Sequence, residues 1–593
     1  MTEHSESMRH KLIALYGAER GAACHARLMS LLDTFRAQRP DLSAQPIDPR
    51  ERVTERDVML ITYGDSLQRP GLLPLQTLGR FLRQHLLGVI STVHILPFFP
   101  YSSDDGFSVI DYTAVNPDLG DWSDIRRLGQ DFKLMFDAVI NHISAHSAWF
   151  RGFLAGDPAY QDFFITVDPD TDLSQVVRPR SLPLLTEVET SGGPAHVWTT
   201  FSTDQIDLNF ANEEVLLKII EVLLFYVGQG MTFLRLDAIA YLWKRIGTSC
   251  IHLDETHTVV KLFRDVLDVV APHVTIITET NVPHPENVSY FGNGRDEAQL
   301  VYQFTLPPLT LHAIATGDAS VLSEWAAEVE TISDQTTFFN FTASHDGIGV
   351  RPVEGILPDE DVALLVTRAK AHGGAVSYKA NPDGTQSPYE LNINYFDALS
   401  DPAAGEPPDV QASRFLVSQA IALAFMGMPG IYIHSLLGSR NWNDGVRQTG
   451  HLRSINREKL DLGTVEAALA DPGSLRARVF FAYRDLIARR TGERAFHPNG
   501  PQTVLDLHPA LFALLRTSPD GAEQIVAIHN VSGQTVRADL SAVPLEGITG
   551  FIDLITGAPV AAGTAFDVRP YQVLWLKAHP VVQIGRASCR ERV

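Results

Sequence analysis

Along the middle of the chain, short apolar runs rich in β-branched and aromatic residues recur and end in polar residues. They are "VMLITYGD" (58–65), "TVHILPFFP" (92–100), "LMFDAVINH" (134–142), "TFLRLDAIA" (232–240), "VTIITETN" (274–281), "LVYQFTLPP" (300–308), "TTFFNFTASHD" (336–346) and "GIYIHS" (430–435). Each has the length and composition of a buried strand. Helical periodicity marks "EEVLLKIIEVLLFYVGQG" (213–230), "THTVVKLFRDVLDVV" (256–270) and "ASRFLVSQAIALAFMGMPG" (412–430), the last two closing near Pro or Gly. Near-continuous apolar strands alternating with amphipathic helices predict an α/β fold with a parallel sheet covered on both faces. Eight repeats predict a (β/α)8 TIM barrel.

The pattern breaks in four places. Residues 57–495 are expected to hold the barrel, with loop-rich insertions at about 143–210 and 347–399. Long loops at the rim of such a barrel build its substrate pocket. From 496 to 580 the texture changes to short alternating runs such as "EQIVAIHNVS" and "YQVLWLKA", which predict a small antiparallel β domain. Residues 1–56 read as a helical extension, with "RLMSLLDTFRAQ" its clearest piece. The closing "IGRASCRERV" (584–593) resembles a translated sequencing adapter, and is expected to be a non-native tail.

Composition narrows the classes of function. A length of 593 residues exceeds what one core holds. A formal charge of -22 argues against nucleic acid, whose binding needs clustered Lys and Arg. Three cysteines, Cys24, Cys250 and Cys589, are too few for a disulfide framework and suit a reducing compartment. The start "MTEHSESMRHKLIALYGAER" is charged, and no apolar run is long enough to span a membrane. A cytoplasmic protein with small-molecule partners and no membrane association is expected; a homodimer is one candidate assembly that the sequence does not decide.

Polar residues then fall where a barrel keeps its chemistry, at the carboxyl ends of the strands: Asp137, Asn141 and His142, then Arg235 and Asp237, Glu279, His345 and Asp346. Arg235 and Asp237 are two apart on one strand and point the same way, so the cation is expected to keep Asp237 ionised, as a carboxylate nucleophile requires. Glu279 ends the neighbouring strand, where apolar surroundings would raise its pKa and let it donate a proton. An ionised and a protonated carboxyl about 5 Å apart form a retaining glycosidase-type centre. Asp346 adds a third acid. One buried Arg–Asp pair alone would be read as a strut; three acids at three strand ends favour chemistry.

"DAVINH" (137–142), "RLDA" (235–238), Glu279 after "IIT" and "SHD" (344–346) resemble the four signature regions of the α-amylase superfamily, glycoside hydrolase family 13. "LITYGD", "HILPFFP", "DDGFSVIDY", "RLDAIAY", "GTSC", "LPPLTLHA" and "HDGIGV" resemble its sucrose phosphorylase subfamily, over about residues 57–460. The resemblance implies Asp237 as nucleophile, Glu279 as general acid/base and Asp346 as transition-state stabiliser. It implies that Asp104, His142, Arg235, His345 and Arg457 hold the glucosyl unit. It also implies phosphorolysis of an α-glucoside to α-D-glucose 1-phosphate with retention, inorganic phosphate as co-substrate, no cofactor and no metal.

The acceptor is less constrained. Sucrose phosphorylases carry Tyr-Gln in the loop after the seventh strand, whereas this chain has Tyr389-Glu390 in "NPDGTQSPYELN". In "RPRSLPLL" (178–185), Arg178 or Arg180 could meet a phosphate or a carboxylate, a solvated loop being the other reading. The N-terminal extension, "TETNVPHPENVSYFG" and "NPDGTQSPYE" look closer to the glucosylglycerate phosphorylase branch. Glycerate is therefore the expected acceptor, with sucrose, sucrose 6'-phosphate and glucosylglycerol phosphorolysis as alternatives. A hydrolase or transglucosidase would keep the same three acids; a non-catalytic sugar-binding relative would have lost one.

Two polar clusters carry less weight. "HLDETH" (252–257) has the wrong order for a zinc helix, and its acids are expected to cap a helix starting near Asp254. "DPDTD" (168–172) lacks the Gly and distal Glu of a calcium loop.

Overall fold

The computed structural model describes residues 2–43, 47–179, 182–381, 385–543, 545 and 548–580. Arg180 and the tail 584–593 lie outside them. Eight parallel strands close a barrel: β1 (Met59–Thr62), β2 (Thr92–Ile95), β3 (Lys133–Ala138), β4 (Met231–Leu236), β5 (Thr275–Thr278), β6 (Leu300–Tyr302), β7 (Thr337–Asn340) and β8 (Met428–Tyr432). Neighbours in sequence are neighbours in space, and β1 pairs with β8 to shut the ring. The strands are almost wholly buried because helices cover the outside and apolar side chains fill the inside.

The strands are shorter than the apolar runs. Residues 279–281 and 341–346 lie beyond β5 and β7 and carry the polar ends onto the carboxyl rim. The expected helix over 412–430 is instead Pro408–Ala424, with Met428–Gly430 opening β8. One apolar run serves both elements, and periodicity does not separate a buried helix from a buried strand. The turn between them needs Gly427: its φ is 135°, and a Cβ there would come within 2.7 Å of the Phe338 carbonyl oxygen.

Helices Thr2–Tyr16 and Ala18–Gln38 form a hairpin against helices Glu213–Gly228 and Asp254–Val270. Its ties are Tyr16 Oη to the Phe210 carbonyl at 2.9 Å, Lys11 to Asp265, Arg20 to Glu213 and Arg27 to Glu214. The Tyr16 ring also lies 6.3 Å from that of Trp243, in the loop after β4. In "HLDETH", Asp254 and Glu255 sit in the first helical turn without capping it; Leu253 is the N-cap, and Glu255 pairs with Arg245. The capping expectation is thus corrected, although acids in this turn still suit the positive end of a helix.

Two irregular segments rise over the rim. One, after β3, carries the hairpin Leu185–Thr190/Gly193–Trp198; the other, after β7, carries the hairpin Ala375–Ala380/Gln386–Asn392. Beyond the barrel, a six-stranded antiparallel sheet and a two-stranded pair fill residues 502–580. Two fully buried arginines bind carbonyls around this junction, and Arg516 ties the sheet to the helix before β8. Arg490 donates to the carbonyls of Glu55, Leu423, Gly427 and Phe496, and Arg516 to those of Ala424, His497 and Gly500.

Candidate active site

At the centre of the rim lies the guanidinium of Arg235, near the end of β4. Its Nη1 donates to Asp137 Oδ1 at 2.5 Å and Asp237 Oδ1 at 2.7 Å, its Nε donates to Tyr302 Oη at 3.1 Å, and Nη2 is 3.9 Å from Glu279 Oε2. Asp137 also has His94 Nε2 at 2.6 Å. A buried cation with two carboxylate partners is compensated rather than stranded. Burial would raise the pKa of Asp137, but His94 and Arg235 bring it below the ordinary value.

Asp237 and Glu279 share this cation unequally. Burial raises the Asp237 pKa and Arg235 opposes it; the net direction is upward. Arg235 favours the ionised form as expected, but removal from water outweighs it in the net direction. Glu279 is pushed up to about 7, by burial first and then by the charges of Asp237 and Asp346, with Arg235 opposing. The Ala238 amide, next to Asp237, donates to Glu279 Oε2 at 3.1 Å. It does so because Ala238 is left-handed, at φ 47° and ψ 33°, a conformation that costs a non-glycine residue roughly 1–2 kcal/mol.

Asp346 stands beside two arginines and a histidine. Arg453 Nη1 is 2.6 Å from its Oδ1, Arg457 Nη2 is 3.8 Å away and His345 Nε2 is 3.5 Å away. Burial would raise its pKa, yet Arg453, with Arg457 and Arg235 behind it, holds it well below the usual carboxylate range. His345 stacks on Phe107, with ring centres 4.8 Å apart, and burial pushes it down to about 3, so it is neutral. Arg457 donates to the His345 carbonyl at 3.0 Å and pairs with Asp105 at 2.8 Å and Asp104 at 3.4 Å.

The structure brings Asp104, His142, Arg235, Asp237, Glu279, His345, Asp346 and Tyr389 to one cleft. Arg457 sits immediately behind Asp104 and His345. Glu390 does not line the cleft: it is 1% exposed and takes a two-pronged bond from Arg453, at 3.0 Å to Nε and 2.7 Å to Nη2. Its expected contact with substrate is corrected, because residues alternate faces along the strand and Tyr389 takes the cleft side. Arg178 is exposed and its Nη2 donates to the Leu182 carbonyl; Pro179, not Arg178, lines the cleft.

Three residues of the site were not singled out from sequence. Arg453 lines the cleft, and its spacing of four from Arg457 in "HLRSINREKL" is the signal that could have found it. Lys244, buried, reaches Asp207 at 2.5 Å and Asn141 at 2.7 Å, and Asn141 lies 3.2 Å from His142 Nδ1. Asn281 lines the cleft two residues beyond Glu279 with its Oδ1 buried and without a hydrogen-bond partner. Gly349 leaves it room, since a Cβ there would come 2.9 Å from the amide. Among the described residues, no group of three or more His, Cys, Asp or Glu is arranged to hold a metal ion, and no helix is long and apolar enough to cross a membrane.

Several known proteins resemble this chain. The catalytic-domain profile of alpha-amylase matches residues 85–349. A glucosylglycerate phosphorylase of Spirochaeta thermophila is 55% identical over 530 residues, covering 89% of this chain and 90% of that protein. The chain belongs to the glucosylglycerate phosphorylase family, within the α-amylase superfamily. A second member, from Allomeiothermus silvanus, is 50% identical over 574 residues, 97% of this chain and 99% of its own, so the likeness includes both rim segments and the C-terminal sheet. Among solved structures, the sucrose 6F-phosphate phosphorylase of Thermoanaerobacter thermosaccharolyticum superposes with a TM-score of 0.70 at 26% identity, over 83% of this chain and 95% of that one.

Proposed function

We propose that this chain is a retaining glycoside phosphorylase, moving a glucosyl unit reversibly between phosphate and glycerate. The observation that carries the reading is the unequal setting of carboxyls around one cleft. Asp237 is bonded to Arg235, Glu279 is out of its hydrogen-bond reach with a pKa near 7, and Asp346 is held ionised by arginines.

Asp237, ionised, attacks the anomeric carbon while Glu279 gives its proton to the departing glycosidic oxygen. The C–O bond to the leaving group breaks and a glucosyl ester forms on Asp237. Phosphate oxygen then attacks the same carbon, the ester bond breaks, and Asp237 returns as a carboxylate. Two inversions leave α-D-glucose 1-phosphate. In the other direction a glycerate hydroxyl attacks, and Glu279 takes its proton. Asp346 accepts hydrogen bonds from the sugar hydroxyls as positive charge develops at the anomeric carbon.

Glycerate is favoured over other acceptors by the two relatives of that name, which match across nearly the whole chain. Asn281 suits it, because its amide nitrogen can donate to a carboxylate and its unpartnered oxygen can accept from a hydroxyl. Phosphate is the co-substrate and no cofactor takes part. A cytoplasmic site of action, supported by the free Cys24 and Cys250, belongs to the same proposal. The test is phosphate release from α-glucose 1-phosphate with glycerate, fructose, fructose 6-phosphate or glycerol in separate reactions. Glycerate is expected to give the fastest release; no release above the rate in water with any acceptor would sink the reading.

A further inference from the structure

Between the hairpin after β7 and the segment 452–457 runs a relay, buried at Glu390 and half-buried at Arg453 and Asp346, that ends at the cleft. Glu390, on the strand Gln386–Asn392, holds the Nε and Nη2 of Arg453 with both carboxylate oxygens, and the third nitrogen, Nη1, rests on Asp346 Oδ1 at 2.6 Å. All three guanidinium nitrogens therefore face a carboxylate, two through hydrogen bonds to Glu390 and the third through an ion pair with Asp346. A carboxylate fork fixes the plane of an arginine as well as its position, which a lysine at 453 or an amide at 390 would do less well. Asn456, three residues on, donates to the backbone carbonyl of Asp346 at 3.1 Å. One short segment thus grips both the side chain and the main chain of Asp346.

We propose that Glu390 and Arg453 are positioning residues that hold Asp346 in its working orientation and tie it to the hairpin over the cleft. The inference rests on the reading above, in which Asp346 supports the charge that develops on the sugar. It makes Arg453 part of the glucosyl half of the site, so its loss acts on every transfer, whatever receives the sugar. A simple anion-binding role would act only on phosphate or glycerate. The titratable groups facing Asp346 are Arg453 and Arg457 from the 452–457 segment, the neutral His345 beside it, Arg235 from β4 and Glu279 after β5.

The experiment compares wild type with Arg453→Lys, Glu390→Gln and the double variant, using α-glucosyl fluoride, whose leaving group needs no proton. Transfer to water, phosphate and glycerate is followed separately, with thermal unfolding of each protein. For Arg453→Lys, kcat is expected to fall at least tenfold with all three acceptors, while KM for phosphate stays within twofold. Glu390→Gln should fall less, and the double variant should be no worse than Arg453→Lys, because Glu390 acts through Arg453. An unchanged kcat with only a lower Tm would overturn the proposal, as would a defect confined to KM for phosphate or glycerate, or additive losses in the double variant. If Arg453→Lys does not fold, Glu390→Gln alone decides by the same criteria. A wild type that transfers to water but not to phosphate would refute the phosphorylase reading and leave the relay to be judged on hydrolysis.

Discussion

Two groups of arginines divide the molecule. Arg235, Arg453 and Arg457 lie at the cleft and are bonded to carboxylates; Arg490, near the end of the helix Leu475–Thr491, and Arg516, in the C-terminal sheet, are bonded only to backbone carbonyls. The first group has its pKa values raised, since the neighbouring acids outweigh burial. The second has them lowered by burial, to about 10 for Arg490 and about 9 for Arg516. The same side chain thus serves as machinery or as mortar according to its partners. A carboxylate beside it can be tuned; a carbonyl can only be satisfied.

The largest expected effect is at the cleft. Asp237→Asn should lower kcat by on the order of 10⁴ while changing Tm by no more than a few degrees, since the amide keeps the shape and loses the nucleophile. Retained turnover in a steady-state assay would move the nucleophile elsewhere. At the other group the pattern should invert. Arg516→Met leaves buried carbonyls without a donor and should cost about 3 kcal/mol in a urea titration, with kcat of the folded fraction within twofold of wild type. A loss of kcat without loss of stability would erase the distinction between the two groups.

The pH profile sharpens it further. Glu279 must carry a proton to assist departure of the glycosidic oxygen, and its pKa is raised to about 7. The rate of phosphorolysis should therefore fall above about pH 7, approaching tenfold per pH unit, whereas transfer from α-glucosyl fluoride to phosphate should fall less. A flat profile up to pH 9 would show that Glu279 is not the donor. The smallest effect is expected at Asn281: Asn281→Ala should raise KM for glycerate roughly tenfold, the worth of about one hydrogen bond to a charged group, and leave hydrolysis of glucosyl fluoride unchanged. An equal loss on both would place Asn281 with the glucosyl unit instead.

The barrel was legible because its strands are apolar enough to stand out, and the three acids because they interrupt those runs at one end. Asp237 and Asp346 carried that signal clearly. Arg453 did so only weakly, through its spacing of four from Arg457 in a polar stretch, and its partners in space show what it holds. Glu390 was visible as a departure from a familiar pair of residues, but its direction depends on strand register, which the sequence around it leaves open. Ala238 gave no signal at all, since alanine has no preference for the left-handed turn it adopts. The helix boundary at Ala424 was missed because the apolar run continues unbroken from helix into strand.

The most direct test of the central claim is chemical. Glu279→Gln, unable to take a proton from an incoming nucleophile, should accumulate the glucosyl ester when given α-glucosyl fluoride. Digestion and mass spectrometry should then find one glucosyl residue on the peptide containing Asp237, with phosphate releasing it as α-glucose 1-phosphate. A label on any other residue, or the β-anomer as product, would contradict the account.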